Sequence, residues 1–118
     1  MTAFLVTVAG AAGVYLRYAL SSAFHGDALP WVTVAINVAG SFALGYLMVV
    51  NWATPEVRTA LGAGFLGGFT TFSTFSVQAV VDAEAGEPGR ALVYVLTSVV
   101  LGITAAAAGY WLAHVARH

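Results

Sequence analysis

Neutral hydrogen-bonding side chains recur at helical spacing within apolar stretches of this sequence, and these residue types are suited to contact a solute. Thr33, Asn37 and Ser41 are four residues apart and therefore share one face of a helix. Tyr94 and Ser98 repeat this spacing further along the chain. Side chains of this kind commonly join membrane helices to one another. Stripes of them in several helices, without charges, also favour a pathway for a solute that needs hydrogen bonds.

A second unusual stretch, GFLGGFTTFSTFS, runs from Gly64 to Ser76 in the middle of another apolar segment. Each glycine of the pair at 67–68 lowers helix stability by about 1 kcal/mol relative to alanine, and the hydroxyls that follow compete for backbone groups. Together they predict a helix broken over residues 67–71. A break at membrane depth must face protein or a cavity, where freed carbonyl oxygens are suitable ligands for a hard cation such as Na⁺. The alternative is a kinked but continuous helix whose glycines permit close packing.

Four phenylalanines in this stretch are spaced by three or four residues, so they are predicted to form one ridge: Phe65, Phe69, Phe72 and Phe75. Such a ridge usually serves packing. The positive edge of an aromatic ring can also line a path for an anion without trapping it. Ser73 and Ser76 alternate with the rings and place hydrogen-bond donors beside them.

The elements that must position these groups are predicted to be membrane helices. The chain has 118 residues, of which 60% are hydrophobic and 8% charged, whereas soluble domains are about 25% charged. A membrane span needs about 20 mostly apolar residues. The charge-free stretches therefore predict one transmembrane domain over 1–118 with four helices, near 3–23, 31–52, 58–82 and 90–113. None of them has the polar outer face that a soluble four-helix bundle requires.

The distribution of charge excludes several classes of protein. A net charge of −1 gives no basic surface for nucleic acid. All five acids are predicted to lie in loops or at helix ends, so no embedded carboxylate supports proton coupling. The G-x-G-x-x-G match from Gly62 to Gly67 falls inside a predicted span instead of following a strand, so it predicts no dinucleotide site. No enzymatic activity is predicted.

The four arginines give almost no preference for one orientation in the membrane. Four spans place Arg17 and Arg90 on one side and Arg58 and Arg117 on the other. A chain without such a preference can insert both ways, which makes an antiparallel two-fold dimer feasible. The small residues at 64 and 68 form a G-x-x-x-G pair that fits either a subunit contact or packing within one chain.

The run from Gly67 to Ser76, GGFTTFSTFS, resembles the third-helix motif of the Fluc (CrcB) family of fluoride channels. The resemblance extends over essentially the whole chain. Further matches to the family are Gly13, Arg17 and Tyr18 in helix 1, Asn37 and Gly40 in helix 2, and Tyr94 and Ser98 in helix 4. One departure is Gln78, at a position where the family often has glutamate.

The resemblance implies a fluoride-selective channel for passive efflux across the cytoplasmic membrane, which reduces fluoride toxicity. It implies an all-α membrane protein with helix 3 broken at its middle, assembled as an antiparallel dual-topology dimer. The partner is either a second copy or an oppositely oriented homologue. A central structural Na⁺ is implied on the dimer axis, held by the backbone carbonyls of Gly67 and Thr70 of both subunits.

The resemblance also implies roles for individual side chains. Arg17 is implied at the vestibule of the pore. The implied pore-lining residues are Asn37, Phe72, Phe75, Ser73, Ser76, Tyr94 and Ser98. Two other classes of protein stay open beside the channel: a small dual-topology drug–proton antiporter, and a membrane assembly subunit that transports nothing.

Overall fold

The computed structural model describes residues 1–116 apart from the side chain of Asp27, so Arg117 and His118 lie outside the described residues. Over this range the chain forms helices and turns and no strand, which confirms the all-helical prediction. The helices are α1 (Thr2–Ser22), α2 (Leu29–Leu47), α3 (Pro55–Thr59), a π-helical segment (Ala60–Leu66), α4 (Gly67–Phe69), α5 (Phe72–Glu84) and α6 (Pro88–Ala116), with a short 3₁₀ turn at Gly26–Ala28.

Three of these helices, α1, α2 and α6, are long and apolar enough to cross a membrane, as judged over the described residues. The remaining predicted span is present as two arms. The first arm, residues 55–69, comprises α3, the π-helical segment and α4, and the second arm is α5. Thr70 and Thr71 separate the arms, so the predicted break in the third span is confirmed.

The helix boundaries follow local capping chemistry. Thr54 begins α3 by accepting a hydrogen bond from the Val57 N–H at 3.2 Å, with Pro55 as the first helical residue. α2 ends at Leu47, whereas the sequence predicts an end at residue 52. The physical reason is Arg58, whose guanidinium donates to the carbonyls that leave the helix: those of Leu47, Val50 (3.0 Å) and Ala53 (3.2 Å). A side chain that satisfies these carbonyls lets the chain leave the helix early.

Glycines allow the helices to approach one another closely. α2 packs mainly on α6, and α1 packs mainly on the first arm. A Cβ atom on Gly13 of α1 would lie 2.9 Å from the Phe69 nitrogen, and one on Gly64 would lie 2.8 Å from the Val6 carbonyl oxygen. Gly68 approaches the backbone of Gly10 in the same way. The G-x-x-x-G pair therefore serves packing inside one chain.

Replacing Gly13 with alanine is expected to lower the free energy of unfolding by about 2 kcal/mol, because the added methyl group must push two backbones apart. Gly89→Ala is the matched control, since a Cβ atom there meets nothing within 4 Å. The thermal midpoints of both variants in detergent measure the difference. Equal midpoints would contradict the close approach of α1 and the first arm.

Candidate ion pathway

The break between the two arms is made by two threonines. Thr70 and Thr71 both have extended backbones, with φ/ψ of −86°/158° and −146°/120°. The Thr70 hydroxyl donates to the Leu66 carbonyl at 2.9 Å, which ends the first arm. The Thr71 hydroxyl accepts from the Thr74 N–H at 3.2 Å, which begins α5. The break thus occupies the C-terminal end of the predicted range 67–71.

Gly67 and Gly68 remain helical, so the expectation that the glycine pair itself breaks the helix is wrong. The flanking helix already supplies their hydrogen bonds, and the glycines instead permit the approach of α1. The predicted phenylalanine ridge is also divided by the break. Phe65 stacks on Phe69 with ring centroids 6.1 Å apart, and Phe72 contacts Phe75 at 5.8 Å.

Side chains from α1 and α2 satisfy some of the backbone groups that the break leaves open. Arg17 donates from Nε to the Gly68 carbonyl at 3.2 Å. Asn37 accepts from the Thr71 N–H at 2.8 Å and donates from Nδ2 to the Thr71 carbonyl at 2.9 Å. Within residues 1–116, no hydrogen bond reaches the carbonyl oxygens of Gly67 and Thr70. These are the two carbonyls that the resemblance assigns to Na⁺.

A cavity of about 340 Å³ lies beside the break, between α2, the two arms and α6. It brings together six of the residues predicted as site residues: Asn37, Gly67, Thr70, Phe72, Phe75 and Ser98. Ser73, Ser76 and Tyr94 do not line it. Ser73 is exposed near the break, with its hydroxyl 3.5 Å from that of Thr71, and Ser76 is half-buried one turn further along α5.

An aromatic wall continues from the cavity toward the N-terminal ends of α2 and α6. The Phe75 ring contacts Tyr94 with centroids 5.1 Å apart, and Tyr94 meets Trp31 edge-on at 6.2 Å. Tyr94 is only 1% exposed and is the most deeply buried ring of this wall, whereas Trp31 beyond it is 43% exposed. Together with the Phe72–Phe75 contact, the rings form a continuous series from the break.

Two hydroxyls on α6 are buried without hydrogen-bond partners among the described residues. They belong to Tyr94 and Ser98, one helical turn apart. The neighbouring Thr33 hydroxyl donates to its own helix, to the Leu29 carbonyl at 3.4 Å. An unsatisfied buried polar group is costly and calls for an explanation. Both hydroxyls are therefore candidates for contact with a solute.

Sequence reasoning missed one member of this region, Asp82. It lies near the end of α5, as predicted, but it is only 8% exposed, so the expectation that the chain has no buried acid is wrong. Oδ1 accepts from Gln78 Nε2 at 3.1 Å, and Oδ2 has no hydrogen-bond partner among the described residues. The spacing of Phe75, Gln78 and Asp82 by three and four residues places them on one face of α5, but this spacing does not report the burial of Asp82.

Comparisons with known proteins identify the family of this chain. Residues 4–110 match the family model for CrcB-like proteins, described as camphor resistance (CrcB). This chain belongs to the CrcB family. Its CrcB relatives include the fluoride-specific ion channel FluC of a Chelativorans species, 45% identical over 116 residues that cover 92% of this chain and 93% of the relative.

Two further CrcB relatives carry the same name. The fluoride-specific ion channel FluC of Acidithiobacillus ferrooxidans is 41% identical over 114 residues, covering 93% of this chain and 91% of the relative. That of Thermus thermophilus is 40% identical over 112 residues, covering 90% of each chain. Since the matches cover nearly the full length of both partners, the CrcB assignment applies to the whole helical domain.

Proposed function

We propose that this protein is a fluoride-selective ion channel of the cytoplasmic membrane that lets fluoride leave the cell passively. The observation that carries the proposal is the joined series of neutral donors and aromatic rings along the cavity and α6. Relatives that match nearly the whole chain are named fluoride-specific ion channels, which supports fluoride as the solute. A negative-inside membrane potential drives an anion outward and lowers the cytoplasmic fluoride concentration.

The chemistry of the wall suits a small, strongly hydrated anion. Fluoride loses water only if the protein supplies replacement hydrogen bonds. The amide of Asn37 and the unpartnered hydroxyls of Ser98 and Tyr94 are donors of this kind. The edges of Phe72 and Phe75 add weak positive potential. No full positive charge is needed along this wall, and a neutral site releases the ion readily.

Growth in fluoride tests the proposal in cells. Expression in the inner membrane of a bacterium that lacks its own fluoride exporter is expected to restore growth in millimolar-range fluoride, because the toxic anion leaves the cytoplasm. A variant with both donors removed, Asn37→Ala with Ser98→Ala, serves as the comparison at equal membrane abundance. Failure of the unaltered protein to protect cells, despite correct insertion, would contradict the proposed function.

The carbonyl oxygens of Gly67 and Thr70 fit a structural Na⁺. The Thr70 carbonyl lies at the break and the Gly67 carbonyl lies in the helical turn just before it. Both residues line the cavity, and neither oxygen accepts a hydrogen bond from a described residue. Na⁺ prefers oxygen ligands, and unwound backbone in membrane proteins commonly supplies them. Two carbonyls are too few for the ion, so the site is proposed to be completed by the same two residues of a second subunit.

The exposure of residues at the break supports a dimer. Phe72 is 78% exposed and Gly67 is exposed, although both line the cavity. A second copy placed against the break would cover both residues and close the open side of the pathway. We propose an antiparallel arrangement, since the arginines favour neither orientation. A homodimer and a pair with an oppositely oriented homologue both satisfy this geometry.

Dual topology predicts half-labelling at two loops. The sequence contains no cysteine, so the single substitutions Asn51→Cys and Glu87→Cys report orientation without background. The proposed four-span topology puts these two loops on opposite sides of the membrane. A membrane-impermeant maleimide added to intact cells is expected to label about half of each variant. Full labelling of one position with none of the other would show a single orientation, contradict the antiparallel homodimer and leave only the pair with an oppositely oriented homologue.

The proton-coupled antiporter loses one of the arguments against it, because Asp82 is buried. The remaining evidence against an antiporter is that the chain belongs to the CrcB family and that its relatives are named fluoride channels. Proton-driven dye uptake by the purified protein would revive the antiporter, and absence of any flux would favour an assembly subunit.

A further inference from the structure

The Asn37 side chain fixes the orientation of the peptide unit between Thr70 and Thr71. Its Oδ1 accepts from the Thr71 N–H at 2.8 Å, and its Nδ2 donates to the Thr71 carbonyl at 2.9 Å. All described peptide bonds are trans. In a trans unit the N–H and the preceding C=O point in opposite directions. The Thr70 carbonyl oxygen therefore points away from Asn37.

Among the described residues, no side chain other than Asn37 forms a hydrogen bond with this peptide unit. Both threonines have extended backbones, so the helical hydrogen bond from the Thr71 N–H to Gly67 is absent. The Thr70 hydroxyl bonds back to Leu66 and leaves its own carbonyl free. Rotation of the Thr70–Thr71 unit would change the direction of the Thr70 carbonyl unless the Asn37 amide prevented it.

We infer that Asn37 is the positioning residue for the Na⁺ site, acting through the Thr70–Thr71 peptide unit, in addition to any contact it makes with the permeating anion. The inference rests on the proposed Na⁺ site. The Oδ1 and Nδ2 atoms of the Asn37 amide then have different roles. Oδ1 holds the peptide unit that presents the Thr70 carbonyl to the cation. Nδ2 has two hydrogens, of which one bonds Thr71 and the other is available to the cavity.

The arrangement also couples the cation to the anion pathway. A cation on the Thr70 carbonyl polarises its peptide unit and strengthens the Thr71 N–H as a donor to Asn37. The Asn37 amide is polarised in turn, so its remaining N–H becomes a stronger donor to an anion. Na⁺ is thereby expected to support fluoride transit without entering the pathway.

The test is the sodium dependence of thermal stability for the purified full-length protein in detergent. NaCl is titrated against N-methyl-D-glucamine chloride at constant ionic strength. Ligand that binds only the folded protein raises the midpoint, so the unaltered protein is expected to show a saturable rise. Asn37→Ala is expected to raise the half-maximal Na⁺ concentration about tenfold, because the peptide unit that carries the Thr70 carbonyl loses its side-chain hydrogen bond to Asn37.

Two further variants separate positioning from general damage. Asn37→Asp keeps an oxygen that accepts from the Thr71 N–H, so its half-maximal Na⁺ concentration is expected to stay within about threefold of the unaltered value, equivalent to less than one lost hydrogen bond. Its fluoride flux is expected to fall, since a negative charge faces the pathway. Ser98 lines the same cavity but forms no hydrogen bond with the break among the described residues. The sodium response of the Ser98→Ala variant is therefore expected to be unchanged.

The inference is overturned if Asn37→Ala responds to Na⁺ as the unaltered protein does, or if Asn37→Asp loses the response as fully as Asn37→Ala. Absence of any sodium response in the unaltered protein would overturn the Na⁺ site together with the inference. Fluoride efflux, measured separately on the same preparations, shows whether the channel function survives either result.

Discussion

Phe75→Ala is expected to lower fluoride flux about thirtyfold. The Phe75 ring contacts Phe72 at 5.8 Å and Tyr94 at 5.1 Å, so it joins the break to the buried Tyr94 ring. Two aromatic contacts worth about 0.5–1.5 kcal/mol each, added to the activation barrier, amount to roughly 2 kcal/mol, and each 1.36 kcal/mol slows a rate tenfold. Initial rates of fluoride efflux from liposomes at equal protein density measure the effect.

Phe4→Ala is the matched control for this substitution. Phe4 lies in α1, is 66% exposed and makes no part of the cavity, so its removal is expected to leave the flux unchanged. The oligomeric state of both variants is compared by gel filtration. If Phe75→Ala conducts as fast as Phe4→Ala while both remain assembled, the aromatic wall does not line the pathway.

Tyr94→Phe is expected to stabilise the protein and slow fluoride transport. The phenol is buried with no hydrogen-bond partner among the described residues, and an unsatisfied buried polar group costs about 1–3 kcal/mol. Phenylalanine keeps the ring contacts with Phe75 and Trp31 and removes only that cost, so the free energy of unfolding is expected to rise by about 1 kcal/mol. If the hydroxyl serves the anion, flux falls about tenfold for each 1.36 kcal/mol of lost stabilisation in the transition state.

The same change at an exposed tyrosine controls for the substitution itself. Tyr15 in α1 is 74% exposed, and Tyr15→Phe is expected to alter neither stability nor flux. Denaturant or thermal unfolding in detergent and liposome efflux are measured on both variants. A Tyr94→Phe protein that is less stable than the unaltered one would show that the hydroxyl is satisfied in the membrane. Unchanged flux would remove Tyr94 from the pathway.

The helices could be predicted from sequence because apolar length and charge placement determine membrane spans. The break was also predictable, since glycines and hydroxyls both weaken a helix. Its position was not, because the choice between Gly67 and Thr70 depends on tertiary partners. Gly68 is held helical against α1, while Asn37 of α2 replaces the hydrogen bonds that Thr71 loses. Propensity describes isolated helices and cannot include such partners.

The sequence indicated which residues belong to the candidate site better than it indicated the contacts that they form. The helical spacing of Asn37, Tyr94 and Ser98 marked them as inward-facing, and the structure places them beside the break or buried on α6. The hydrogen bonds from the Asn37 side chain to the Thr71 backbone could be identified only from the fold. Asp82 was missed because its position in the last turns of α5 suggested an exposed acid. Burial there depends on the neighbouring helices, which the local sequence does not report.

The most direct test of the channel function is selective efflux from liposomes that contain only this protein. Vesicles loaded with potassium fluoride or potassium chloride are diluted into a medium without either anion, and a potassium ionophore is added to permit charge-balanced release. We expect rapid fluoride release, with far slower chloride release from matched vesicles. Chloride efflux as fast as fluoride efflux, or no fluoride release from folded and inserted protein, would contradict the channel function.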